Sequence, residues 1–242
     1  VGGAIPQSCL HQFNETLGMH PISKFLPHQS FDPNTQLFTT QYGKAFLFEA
    51  DPLVGADAAM AKNLHQIFQS QLPLGACGQI LLNASNKIGN MLDSYVAERA
   101  NASDIFSQIA KNRAVYTAKA ANTSMIAEPY IIRDYNLYFS FSIDDSLGYS
   151  VHEVLDLKQR LGASLTTLQI KPQIVSATDF LNLSAQLLRP SESAFGENII
   201  WDASMSLNQQ LTDPAYLRKI TSLRVANPHN DIEIYTFRVN DY

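Results

Sequence analysis

Three observations predict an α+β fold for this chain, with a split βαβ sheet of ferredoxin-like kind. Residues 131–143, IIRDYNLYFSFSI, alternate in character: Leu137, Phe139, Phe141 and Ile143 fall on one side, Tyr138, Ser140 and Ser142 on the other. That period of two belongs to a strand with one dry face and one wetter face. Segments 55–72 and 150–163 carry apolar residues at helical spacing. With one helical stretch set aside, the order from 43 to 175 is strand–helix–strand, twice over. Such an order lays two helices on one face of an antiparallel sheet.

Taken in order, FLPHQSFDPNTQLF (25–38) reads as a tight turn leading into a short strand, 36–41. That strand is expected to form a hairpin with 44–50 across Tyr42-Gly43-Lys44, with Gly43 taking a positive φ. GKAFLFEA (43–50) is apolar on both faces, as a central strand is, and Asp51-Pro52 stops it. The helix at 55–72 has Met60, Leu64, Ile67 and Phe68 on its stripe and Asp57 at the positive end of its dipole; Pro73 and Gly75 end it. GQILLNA (78–84) is a short buried strand.

Two helical stripes follow, Ile88/Met91/Leu92/Tyr95 and Ile105/Phe106/Ile109/Arg113/Tyr116, separated by ANAS (100–103) with Ser103 as N-cap. They predict a helical hairpin inserted at about 86–124. Its stripes either pack on each other or leave an apolar surface for a partner subunit or a second protomer. DDSLGYS (144–150) is a turn. The helix after it, 150–163, presents Val151, Val154, Leu155 and Leu161, and 164–175 reads as a further strand region. The helix at 176–188 has Ser176 as cap, Asp179 at N3 and Phe180, Leu181, Leu187 and Leu188 on its stripe. Residues 231–239 alternate as a strand does. The organisation predicted is an N-terminal extension (1–24), the α+β domain (25–175) and a C-terminal extension (176–242). The last is expected to cover part of the sheet's second face with its helix and its tail strand.

Composition narrows the function. Charged residues make up 16% of the chain, against a usual value of about 25%. The difference is uncharged and polar, with 16 Asn and 16 Gln. A net charge of −5 with no basic run speaks against direct nucleic-acid binding. Cys9 and Cys77 read as unpaired residues of a cytoplasmic protein, one bridge between them being the other reading. The Asn-x-Ser/Thr triplets at Asn14, Asn83, Asn101, Asn122 and Asn182 read as chance in an Asn- and Ser-rich chain, glycosylation being the other reading. No apolar run reaches the ~18 residues of a membrane span, and without a basic stretch followed by an apolar one at the start no signal peptide is expected. The start without Met and the stop within a strand-like run point to a piece of a longer protein.

Candidate chemistry is sparse. Gly43-Lys44 lacks the glycine and hydroxyl residue of a P-loop. Ser150 stands near His152 in GYSVH, but a helix cap accounts for it. Asp144-Asp145 can bind a divalent cation or solvate a turn. Arg133-Asp134 can form a site or a strand-edge ion pair. Trp201 can anchor a partner or fill core. The six histidines form no metal-ligand spacing. No catalytic, cofactor-binding or metal residue is therefore assigned, and an interaction module is favoured over an enzyme.

One resemblance adds to this. SKFLPHQSFDPNTQLFTTQYGKAFLFEADPLVGAD, LLNASNKIGNMLDSYVAER and IIRDYNLYFSFSI, in that order and spacing, resemble the N-terminal region of TraC-type ATPases of conjugative type IV secretion systems, relatives of the VirB-type ATPases. The resemblance implies a parent ATPase whose catalytic domain, with its ATP and Mg sites, lies beyond Tyr242. It implies no catalytic residue and no cofactor here. It also implies docking at the cytoplasmic face of the bacterial inner membrane, peripherally, against small inner-membrane subunits of the channel, with self-association of protomers. The alternative is a stand-alone ferredoxin-like ligand- or nucleic-acid-binding domain.

Overall fold

The structure is a computed structural model and describes residues 26–53, 55, 58–101, 103–121, 123–124, 131–188, 198–211 and 232–238, the last as backbone. The elements are β1 (His28–Asp32), β2 (Leu37–Thr40), β3 (Gly43–Ala50), α1 (Ala58–Gln71), β4 (Cys77–Ser85), α2 (Gly89–Ala97), α3 (Asp104–Ala120), β5 (Asp134–Asp144), α4 (Val151–Thr167), β6 (Gln173–Ile174), α5 (Ala177–Leu188), α6 (Leu207–Leu211) and β7 (Ile232–Arg238). The predicted extension 1–24, Asp57 and Arg189-Pro190 lie outside the described residues.

The fold is α+β. One seven-stranded sheet runs β1-β2-β3-β5-β4-β7, with β6 also paired to β3. Every pairing is antiparallel. β5 sits between β3 and β4, the strands joined through α1, and β3 sits between β5 and β6, the strands joined through α4. Each βαβ unit is thus split by a strand of the other. β6 is only two residues long, so one edge of β3 is shared: β2 pairs at Ala45 and Lys44, β6 at Phe48 and Glu49.

α1 and α4 cover one face. Leu64, Ile67 and Phe68 from α1 and Val154, Leu157, Leu161 and Leu165 from α4 close over Phe46, Phe48, Phe139 and Phe141. Gln71 Nε2 donates to Ser164 Oγ at 2.7 Å and ties the helices together. The second face is covered by α5 and the 198–211 segment. Phe180, Leu181, Ile199, Leu207 and Leu211 pack with Leu47, Tyr138 and Val175. α5 carries the expected cap: Asp179 Oδ2 accepts from Ser176 N and Oγ, and Asp179 N donates to Ser176 Oγ. The abundant amides do backbone work here. Asn182 accepts from Ile199 N at 2.7 Å and donates to Ile199 O at 3.1 Å. Gln210 accepts from Asp202 N and donates to Asp202 O, both at 2.8 Å. These bonds satisfy a loop that no strand pairs.

Several expectations are corrected. The opening stretch is not merely a turn: His28–Asp32 is a strand paired to β2, with a register shift between His28 and Ser30. The turn proper is Pro33–Gln36. Asp32 Oδ1 accepts from Asn34 N at 3.0 Å, Asp32 Oδ2 from Thr35 Oγ1 at 2.7 Å, and Gln36 takes φ 53°. Lys158 of α4 donates to Thr35 O and pins this turn, and burial lowers the lysine's pKa below its ordinary value. Gly43 does not take a positive φ; it is needed because β5 passes too close for any side chain. The region 164–175 is mostly not strand. Leu165 extends the buried stripe of α4, and pairing begins only at Gln173. Val151 stays exposed rather than joining that stripe. The tail strand β7 does not cover a face; it lengthens the sheet beside β4.

Candidate interaction surface

α2 and α3 form the hairpin between β4 and β5 with a small core of its own. Ile88, Leu92 and Val96 from one arm meet Ala114, Ala118 and Ala121 from the other. Ser103 holds the N-cap position of α3 without a side-chain cap bond. The hairpin is tied back at its root: Ile132 N donates to Ala120 O at 3.0 Å, and Arg133 Nη1 to Ala121 O.

The packed side of α3 is therefore its alanine side. Its large apolar residues face away: Ile105 is 72% exposed, Phe106 66%, Ile109 54% and Tyr116 55%. Of the two expected stripes, the first is partly internal, through Ile88 and Leu92, while Met91 is exposed. The second does not pack on it. Ala packs as closely as helices allow, so Ile105, Phe106, Ile109 and Tyr116 contribute nothing to the hairpin's own closure. A cluster of this kind marks a contact surface.

A second feature is a cavity of about 390 Å³ on the wetter side of β5, lined by Thr40, Cys77, Gln79, Ser140, Ser142 and Asp144 among others. The alternation at 138–142 signalled this wetter side. His28, from the strand that sequence reasoning missed, also lines it. The His28 ring lies 4.3 Å from the ring of Phe180 and edge-on to Phe38. Desolvation between these rings lowers its pKa from 6.5 to about 4. The folded state therefore resists protonation that the unfolded chain accepts, and stability falls as pH drops from 6.5 towards 4. In urea titrations the gap between wild type and His28→Leu should shift by about 3 kcal/mol in favour of the variant between pH 7 and pH 4. A gap that stays constant with pH overturns this.

The other candidates are structural. Ser150 caps α4, with Glu153 N donating to Ser150 Oγ at 3.3 Å and Ser150 N to Glu153 Oε2 at 2.8 Å. His152 faces Asp156 at 3.8 Å instead. Asp144 Oδ1 accepts from Ser146 N at 2.8 Å, so the Asp144-Asp145 pair shapes a turn. Arg133 donates to carbonyls, whereas Asp134 Oδ2 accepts from Asn136 Nδ2 at 3.4 Å. Trp201 packs edge-on against Phe31 at the rim of the second core. Cys77 is a free thiol, and Cys9 lies outside the described residues. Asn83 is buried in β4 and Asn182 is bonded to backbone, which closes both to glycans. Asn101 is exposed at the hairpin tip; Asn14 and Asn122 lie outside the described residues. No helix among the described residues is long and apolar enough to cross a membrane, and they hold no cluster of metal-ligand type.

Comparison with known proteins agrees with the ordered motifs. The chain is 25% identical over 224 residues to Protein TraC of Escherichia coli (strain K12), a match covering 86% of this chain and 25% of that protein. It thus spans about a quarter of the length of the curated relative it matches. A family model described as TraC protein matches residues 22–241, nearly the whole sequence, and the chain belongs to the TraC family of conjugation proteins.

Proposed function

We propose that this chain is the docking and assembly part of a type IV secretion ATPase, and that it places the ATPase on the inner-membrane channel complex. Family membership supports the setting. The observation that carries the docking role is the outward apolar face of α3, on a hairpin that closes without it. The partners in this reading are small inner-membrane subunits of the channel, and protomers are arranged alongside one another.

Ile105→Asp or Ile109→Asp is expected to weaken recruitment of the parent protein to membranes carrying the channel. The unfolding free energy from urea titration should stay within about 0.5 kcal/mol of wild type, as for other exposed positions. Wild-type recruitment by both folded variants overturns the assignment of the site. In the same reading, ATP chemistry belongs to another part of the parent protein. Calorimetric titration of Mg-ATP into this chain should give no binding isotherm; a micromolar dissociation constant would contradict it. A second reading, a ligand-binding module, is favoured only by the hydroxyl-lined cavity beside β5.

A further inference from the structure

We infer that the outward face of α3 docks directly on an anionic lipid surface. The inference rests on the docking reading above and names what the hairpin touches. At 3.6 residues per turn, Ile105, Ile109 and Tyr116 stack along one line of the helix, with Phe106 beside them. Arg113 lies on one flank of this line and Lys119 on the other. Both cations are exposed, and neither pairs with a described acid. The single acidic residue of the helix is Asp104, in its first turn.

The charge stands out against the rest of the chain. Residues 86–124 hold five basic and three acidic residues, while the whole chain carries −5. The hairpin is a basic projection on an acidic protein. An apolar stripe bordered by Lys and Arg suits a helix lying in the headgroup layer, its alkyl and aromatic groups inward and its cations at the phosphates. Two polar residues share this side, Gln108 and Asn112, and they bond each other at 3.0 Å, which lessens the cost of removing them from water. A second copy fits less well. Pairing this face with itself would bring the two flanking cations of each helix together with no acid between them, whereas anionic lipid attracts both.

The test is sedimentation of the whole chain with protein-free vesicles, one set containing phosphatidylglycerol and one of phosphatidylcholine alone. Binding to the anionic set should be at least about tenfold stronger and should weaken with added salt. Ile105→Asp/Ile109→Asp and Arg113→Glu/Lys119→Glu should each lower that binding by at least about tenfold, given roughly fivefold per basic residue at such a surface. Circular dichroism and the urea midpoint should stay at wild-type values. Failure of the wild type to bind anionic vesicles, equal binding to both sets, or undiminished binding by the charge-reversed variant overturns the inference. If the chain binds no vesicle while the parent protein is still recruited by channel-bearing membranes, the lipid contact falls and the docking reading stands.

Discussion

Replacing Phe139 by alanine should cost about 3–5 kcal/mol, read as a lower urea midpoint with an unchanged slope. Phe139 sits in the middle of β5, opposite Phe48 on β3 and Ile80 on β4. Its side chain is fully buried in the aromatic layer beneath α1 and α4, with Phe68 of α1 6.5 Å away ring to ring. Strands held on both sides cannot collapse into the space left, so a cavity adds to the lost transfer energy. Ser140, one residue on, is half-buried beside the cavity on the opposite face, and Ser140→Ala should cost under about 1 kcal/mol. Equal losses from the two changes would mean that the register of β5 is wrong.

Gly43→Ala should be nearly as damaging, about 3 kcal/mol or more. A Cβ at Gly43 would stand 2.1 Å from Ile143 O and 2.8 Å from Asp145 N, both backbone atoms. No rotamer relieves such an overlap; the first pair of the β3–β5 ladder, Gly43 with Asp144, must part. Gly162→Ala gives the contrast. A Cβ there meets only Phe48 ring atoms at 3.5 Å, an ordinary contact, and Gly162 is inside α4. That change should stabilise by about 0.5–1 kcal/mol through helix propensity. A Gly43→Ala variant as stable as wild type would show that β3 and β5 do not approach this closely.

The sheet's centre was legible because burial writes itself as period. Phe139, Phe141 and Ile143 alternate with Ser140 and Ser142 because one side meets helices and the other meets the cavity. α1, α4 and α5 were legible for the same reason at helical spacing. β1 was not: two prolines, Pro27 and Pro33, bracket it, and its pairing depends on a partner strand rather than on any pattern within its five residues. Gly43 was read as a turn glycine because close approach by a distant strand leaves no local trace. The hairpin was legible only as two alternatives, stripes packed on each other or an apolar surface left outside. Small residues decide between them: alanines such as Ala110 and Ala114 let the arms approach, and Ile105 and Phe106 stay outside. A small-residue stripe opposite a large one is a signal that composition alone does not rank.

β1 has one more property that follows from its position. Among the described residues it is the outermost strand of its side of the sheet, and an outermost strand offers unpaired N–H and C=O groups to any other extended chain. Here that offer is withdrawn. The strand is five residues long, its register slips between His28 and Ser30, and the prolines at either end supply no N–H. Copies brought close together, as the proposed assembly role requires, would risk stacking edge to edge into insoluble aggregates. The irregular β1 guards against that outcome at its own edge, because a short, slipped strand with a proline at each end is a poor template for a second one.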